Sequence, residues 1–306
     1  MAKDARIVRD PHQKNIVKLF SRFDGSKNRR KIFEDFVTTT AIAISNVADK
    51  FHADEREEQY MLIAKQYKPD ELDTFAEMMA EIVAGLEENP NQDFLGEMYM
   101  ALDFGSSSAG QFFTPYSVCQ LTASICSDWA VLKSKIEENG FVSASDPACG
   151  AGALLVAFAN ACWKEEINYQ EKVLFVAQDL DYVVGMMCYI ALSYMGCAGY
   201  VVIGDTLCDP STAYDKRGLL PRDNGRIWYT PMFYTPLWQG RCVAAQMDLA
   251  LAGYGKMSFG NESPLKATET PLQRPVVKEA PAAHVVTPSV PETAFSVLET
   301  GQLSFF

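Results

Sequence analysis

The sequence predicts an α/β fold, a parallel, doubly wound sheet behind a helical N-terminal domain, on three observations. Residues 1–105 carry apolar side chains at helical spacing. From Phe141 onward, short apolar runs of strand length alternate with longer helical ones, the pattern of consecutive strand–helix–strand units. The first three of those strands each end in an acid, Asp146, Asp179 and Asp205. Ligands of such sheets bind outside the carboxyl ends of the strands, so the three acids mark the expected site.

The elements follow in order. Phe33, Phe36 and Val37, and later Phe75, Met78, Met79, Ile82 and Val83, fall on helical faces, and the acidic run Asp54 to Glu58 is a solvated helix face. A loop of small residues from Gly105 to Gly110 leads into Gln111-Phe112-Phe113-Thr114-Pro115. Thr114 serves there as N-cap, with Pro115 at the first helical position of a helix through Ser127. Strand one runs from Phe141 to Asp146 and a helix from Leu154 to Trp163. Strand two spans Val173 to Ala177 and ends at Gln178-Asp179, and strand three spans Tyr200 to Ile203 and ends at Gly204-Asp205. A fourth strand, Arg226 to Tyr229, ends at Thr230-Pro231, and Cys242 to Leu251 reads as one helix. Beyond about Tyr254, prolines sit among Thr, Glu, Val and Ala without periodicity, which predicts a disordered tail. The expected division is therefore a helical domain over 1–105, an α/β domain over 106–254 and a tail over 255–306.

The run Val183 to Ile203 has no charged residue and is long enough to cross a bilayer. Gly196-Cys197-Ala198-Gly199 breaks it, and Asp181 and Asp205 bracket it, so a buried helix, a turn and a buried strand fit better. With 306 residues, 48% hydrophobic and 22% charged, the composition is that of a globular chain. A net charge of −12 argues against strong autonomous binding to nucleic acid, which relies on phosphate neutralisation, though not against a basic partner. Eight scattered cysteines without a CxxC pair and no signal-peptide pattern lead to an expectation of reduced thiols in a cytoplasmic protein. Three histidines, none at metal-ligand spacing, predict no zinc site.

The most informative segment is the turn after strand one, Ser145-Asp146-Pro147-Ala148-Cys149-Gly150-Ala151-Gly152. Gly150 and Gly152 let the backbone approach a ligand, and the following helix start points free N–H groups at it. Asp146 favours a cationic or amine-bearing ligand over a pyrophosphate. The turn resembles motif I of the S-adenosylmethionine (SAM)-dependent DNA adenine methyltransferases. Over Asp93 to about Pro210 the chain is similar to the modification subunit of type I restriction-modification systems, an N6-adenine DNA methyltransferase. Gly110-Gln111-Phe112-Phe113-Thr114-Pro115 resembles that family's segment that packs on the cofactor. Gln178-Asp179 stands where its acid holds the ribose hydroxyls, and Gly204-Asp205-Thr206-Leu207 where its Asp reaches the cofactor adenine. The resemblance implies a Rossmann-like SAM-dependent methyltransferase sheet. It implies SAM contacts from Phe113, Thr114, Asp146, Ala148, Gly150, Asp179 and Asp205, DNA as substrate and a separate specificity subunit as partner.

Two departures qualify it. Family members carry (Asn/Asp)-Pro-Pro-aromatic after strand four, where a carboxamide accepts from the target amine and the ring stacks on the flipped base. Here that place holds Thr230-Pro231-Met232-Phe233, then Thr235-Pro236-Leu237-Trp238. Thr230, Pro231 and Phe233 are the expected base pocket, with Thr235 and Trp238 as the second choice; both Thr-Pro pairs can equally form a turn with core aromatics. Too few residues then precede the proline-rich tail to complete the family's sheet, so the expectation is a truncated sheet completed by a partner or by self-association. The terminal Gln302-Leu303-Ser304-Phe305-Phe306 resembles the bacterial sliding-clamp-binding pentapeptide, which implies clamp contacts from Gln302, Leu303, Phe305 and Phe306. Docking of this apolar end on its own domain is the alternative. Two functions remain open: an adenine-N6 methyltransferase of a restriction-modification or mobile-element system, or a catalytically silent SAM-binding module recruited to DNA through a partner or the clamp.

Overall fold

The computed structural model describes residues 8–104, 113–125, 128–222, 226–257, 296–297 and 302–304. Five helices come first: α1 (Pro11–Leu19), α2 (Arg29–Ala48), α3 (Ala53–Ala64), α4 (Pro69–Glu88) and α5 (Phe94–Ala101). Their starts are written in side chains that accept otherwise unpaired backbone N–H groups. Asp10 receives His12 and Gln13 ahead of Pro11, Asn28 receives Arg30 and Lys31, and Asp93 receives Gly96. Helix α2 is central, with Phe33, Phe36, Val37, Ala41 and Ile42 wholly buried. Its buried Thr38 and Thr39 hydroxyls donate back to Glu34 O and Asp35 O, at 2.8 Å each, so both are satisfied within the helix.

After α6 (Tyr116–Ile125) and α7 (Trp129–Asn139), Gly140 at φ +80° turns the chain into β1 (Val142–Asp146). There follow α8 (Ala153–Lys164), α9 (Tyr169–Lys172), β2 (Val173–Asp179), α10 (Tyr182–Tyr194), β3 (Ala198–Ile203), β4 (Ile227–Tyr229), α11 (Pro236–Met257), β5 (Ser296–Val297) and β6 (Gln302–Ser304). The sheet order is β4-β3-β2-β1-β6-β5. Strands β1, β2 and β3 are parallel, in a register that pairs Asp146 with Ala177 and Asp179 with Ile203, so their carboxyl ends form one rim. Strand β2 is buried on both faces: Val173, Phe175 and Ala177 enter one core, Leu174 and Val176 the other. That two-sided burial is why it reads as an unbroken apolar run.

The sheet is doubly wound, as expected: α8 and α10 share a core with α2, α4 and α5 on one face, and α11 with the turn Pro231–Tyr234 covers the other. The order runs from β1 out to β3 and resumes on the other side of β1 with the parallel β6. Two expectations are corrected here. First, β4 is antiparallel and lies outside β3, at the far edge from β1. Second, within the stretch expected to be disordered, Gln302–Ser304 runs parallel to Ser143–Ser145 of β1, and Ser296–Val297 pairs back on it. Residues 258–295, Phe305 and Phe306 lie outside the described residues.

Besides their shared core, the helical part and the sheet are joined through Arg56. Buried Arg56 of α3 pairs with Asp49 (2.7 Å), donates to Ser45 and to Ile227 O of β4 (2.9 Å), and lies 4.0 Å over the Trp228 ring. No described helix is long and apolar enough to cross a membrane.

Candidate cofactor site at the carboxyl rim of the sheet

The turn after β1 holds Gly150 at φ +55° and Gly152 at φ +90°, left-handed conformations that L side chains rarely adopt. Packing adds a second constraint. A Cβ on Gly152 would stand 2.9 Å from Cys188 Sγ of α10, and one on Gly150 would stand 3.5 Å from the Phe113 ring. Phe113, itself stacked on Tyr99 at 5.8 Å, therefore walls the turn. Thr114 sits beside it, exposed, just ahead of α6; Gly110, Gln111 and Phe112 are outside the described residues.

The turns after β1, β2 and β3 are tied to one another. Gly150 N donates to Asp179 Oδ2 at 2.9 Å, and Asp181 N to Asp179 Oδ1 at 3.0 Å. Thr206 Oγ1 donates to Pro147 O at 2.6 Å, bringing the Asp205 turn against the first. Ala148, exposed, donates its N–H to Asp146 Oδ1 at 3.2 Å. Asp146, Asp179, Asp205, Ala148, Gly150 and Phe113 are thus assembled at one rim.

Gln178 holds this rim together, and sequence reasoning passed over it for its acidic neighbour. It is buried, donates from Nε2 to Asp209 O (2.9 Å) and Gly204 O (3.3 Å), and accepts at Oε1 from Ser211 N (2.9 Å). Its backbone carbonyl accepts from Cys149 N at 3.0 Å. A carboxamide with both ends needed is the usual reason for a glutamine at the last buried position of a strand, and that placement was the available signal.

The three acids differ in environment. Burial pushes the Asp146 carboxyl up to about 6; the bond from Ala148 N–H opposes this and nearby Asp179 adds to it. Asp205 is exposed, and hydrogen bonds from the Cys208 thiol and Leu207 N–H hold it below the ordinary value. A buried acid beside a glycine turn suits a cation, while half-exposed Asp179 and exposed Asp205 suit hydroxyl and amine donors. The described residues hold no cluster of three or more potential metal ligands.

Residues 90–219 match the family model for N-6 DNA methylase. The matched segment takes in Phe113, Thr114, Asp146, Ala148, Gly150, Asp179 and Asp205, and ends ahead of Thr230. Among solved structures, one similar chain is described as a class I S-adenosylmethionine-dependent methyltransferase from Listeria monocytogenes. It is 17% identical, with a TM-score of 0.28, over 58% of this chain and 54% of that one, so the likeness spans about half its length. No curated protein matches the sequence.

The expected base pocket is not at this rim. Because β4 is antiparallel to β3, its last residues lie beside the start of β3: Tyr229 opposes Tyr200, and Thr230 N donates to Gly199 O at 2.9 Å. Thr230 is fully buried, with its hydroxyl spent on Cys197 O (2.7 Å) and Gly199 N (3.1 Å). Pro231 and Phe233 form the turn that follows, Thr235 Oγ1 bonds Met232 O, and buried Trp238 donates to Gln170 O. All five sit at the amino end of the parallel strands, a strand's length from Asp179 and Asp205. The turn with core aromatics is what the structure contains.

Proposed function

We propose that this chain binds SAM at the Asp146–Asp179–Asp205 rim and serves adenine-N6 methylation of DNA, in a restriction-modification or mobile-element system, with a partner that supplies the acceptor-base pocket. One observation carries both halves of this reading. The cofactor-type turns are stitched together at one end of the sheet, while the Thr-Pro-aromatic segment is locked into the other. The residues present fit the cofactor. Asp146 would take its ammonium group, Asp179 the ribose hydroxyls, Asp205 the adenine amine, and Phe113 would close the turn over it. SAM supplies an electrophilic methyl group, and the chain's residues hold and orient it and screen it from water on the Phe113 side.

The second reading, a catalytically silent SAM-binding module, is favoured by the same displacement of Thr230. Calorimetry with SAM, followed by methyl-transfer assays on adenine-containing DNA with and without co-purifying partners, tests both. Tight SAM binding with transfer only in the presence of a partner is expected. Transfer by the isolated chain would place an acceptor pocket within it and overturn the partner requirement, and no SAM binding would end both readings. Recruitment to a sliding clamp through Gln302, Leu303, Phe305 and Phe306 is part of the proposal. Since Gln302–Ser304 pairs with β1, the peptide must leave the sheet to reach a clamp, and pull-down should strengthen when β1 pairing is weakened.

A further inference from the structure

On the face opposite α8 and α10, a cavity of about 660 Å³ opens between α11, the Pro231–Tyr234 turn and the β3–β4 connection. Its size falls within the roughly 300–1,000 Å³ of small-molecule sites. The residues that give it character are Tyr229, Phe233, Tyr234, Tyr214, Gln239 and Gln246. Tyr229 and Phe233 stack with centroids 4.9 Å apart and planes 17° apart, and Tyr234 stands edge-on to them at 5.9 and 6.3 Å. Gln239 is pinned by a 2.9 Å bond from its Nε2 to Phe233 O. Tyr214 and Gln246 are exposed, at the opening.

We infer that this cavity binds an uncharged planar heteroaromatic group, a nucleoside, separately from the cofactor rim. Aromatic walls offer faces on which a base can stack. Carboxamides supply the paired donor and acceptor that match a base edge. Among the described lining residues there is no Lys, Arg, His, Asp or Glu, a lining that suits an uncharged ligand over a phosphate or an ionised one. The segment that the sequence offered as a base pocket thus keeps an affinity for rings, at a place the rim's methyl donor does not reach. Both ligands can be bound at once.

The test uses the full chain saturated with SAM, so that a nucleoside cannot register at the cofactor rim. Thymidine and deoxyadenosine are titrated and followed by ligand-observed NMR, beside their 5′-monophosphates. Saturable binding is expected below about 10 mM, with the monophosphates weaker. Tyr214→Ala should weaken nucleoside binding on the order of fivefold, a loss of about 1 kcal/mol. Gln246→Trp, at an exposed position, should abolish it by filling the opening, and SAM affinity should not change in either variant. Three results would overturn the assignment: no saturable binding of any probe, binding indifferent to both substitutions, or monophosphates binding more tightly than nucleosides. SAM affinity is read in the same samples, so failure here is distinct from failure of the cofactor site.

Discussion

Asp146 is held where its charge is costly, and that cost is what makes it useful. With its carboxyl raised from 3.8 to about 6 by burial, the fold favours the neutral acid. Its contribution to stability is therefore complete below the unfolded value near 3.8 and is lost as pH rises through about 6. A ligand ammonium reverses the preference, because only the carboxylate pairs with it. SAM affinity should accordingly fall about tenfold between pH 7.5 and pH 5 by calorimetry, in a buffer-independent analysis. An affinity flat across that range would remove Asp146 from the site. Asp146→Asn separates the two effects. Losing a charged hydrogen-bonding partner costs about 1.5–3 kcal/mol, so SAM affinity should drop on the order of tenfold to a hundredfold. Relief of a buried charge should meanwhile raise the melting temperature at pH 7.5. A variant that loses both affinity and stability would mean that Asp146 is chiefly structural. At Gly152 the constraint is steric. Ala there meets both φ +90° and Cys188 Sγ at 2.9 Å, and should destabilise by roughly 1–3 kcal/mol in chemical denaturation.

At the scale of elements, the Thr230 segment decides between a catalytic and a structural use of one motif. Thr230→Val keeps the shape and removes the hydroxyl, leaving Cys197 O and Gly199 N buried without that partner. A loss of about 1–3 kcal/mol is expected in urea unfolding, with SAM affinity unchanged and any partner-dependent methyl transfer unchanged per folded molecule. Transfer that fails in a stably folded Thr230→Val would restore the catalytic reading. The same segment marks where the sequence stops being legible. The extents of β1, β2 and β3 and of the helices between them followed from apolar runs bounded by acids and glycines, because burial on both faces leaves that trace. The rim residues followed from a turn whose glycines are required by backbone conformation. Direction leaves no such trace. Ile227-Trp228-Tyr229 has the same composition whether it runs parallel beside β1 or antiparallel beside β3, and only the pairing with Tyr200 and Val202 shows which. Likewise, Gln302-Leu303-Ser304 can serve a partner's groove or the free edge of β1, since strand addition reads backbone groups more than side chains.

For the whole molecule, the division into a helical domain and an α/β domain is one of sequence more than of cores. Ile32, Phe33 and Phe36 of α2 share a continuous cluster with Phe158 of α8 and Met187 and Ile190 of α10. Arg56 fixes the second connection, since its guanidinium satisfies Asp49 within α3's neighbourhood and Ile227 O on the sheet's edge strand at once. Both ends of that bridge are buried. Replacing Arg56 by Met keeps much of the packing on Trp228 but leaves buried Asp49 to His52 and the Phe51 and His52 N–H groups, and Ile227 O without its donor, a loss of about 1–3 kcal/mol. Because the cores are continuous, that loss cannot be confined to one part. Thermal unfolding of Arg56→Met should therefore remain a single transition, shifted down equally in helical circular dichroism and in tryptophan fluorescence. Two separated transitions would show that residues 1–105 fold independently of the sheet, and the rim would then need no help from the helices to bind its ligand. A single shifted transition instead makes the helices part of the scaffold that holds Asp146, Gln178 and Asp179 in register, and SAM should raise the melting temperature of the whole.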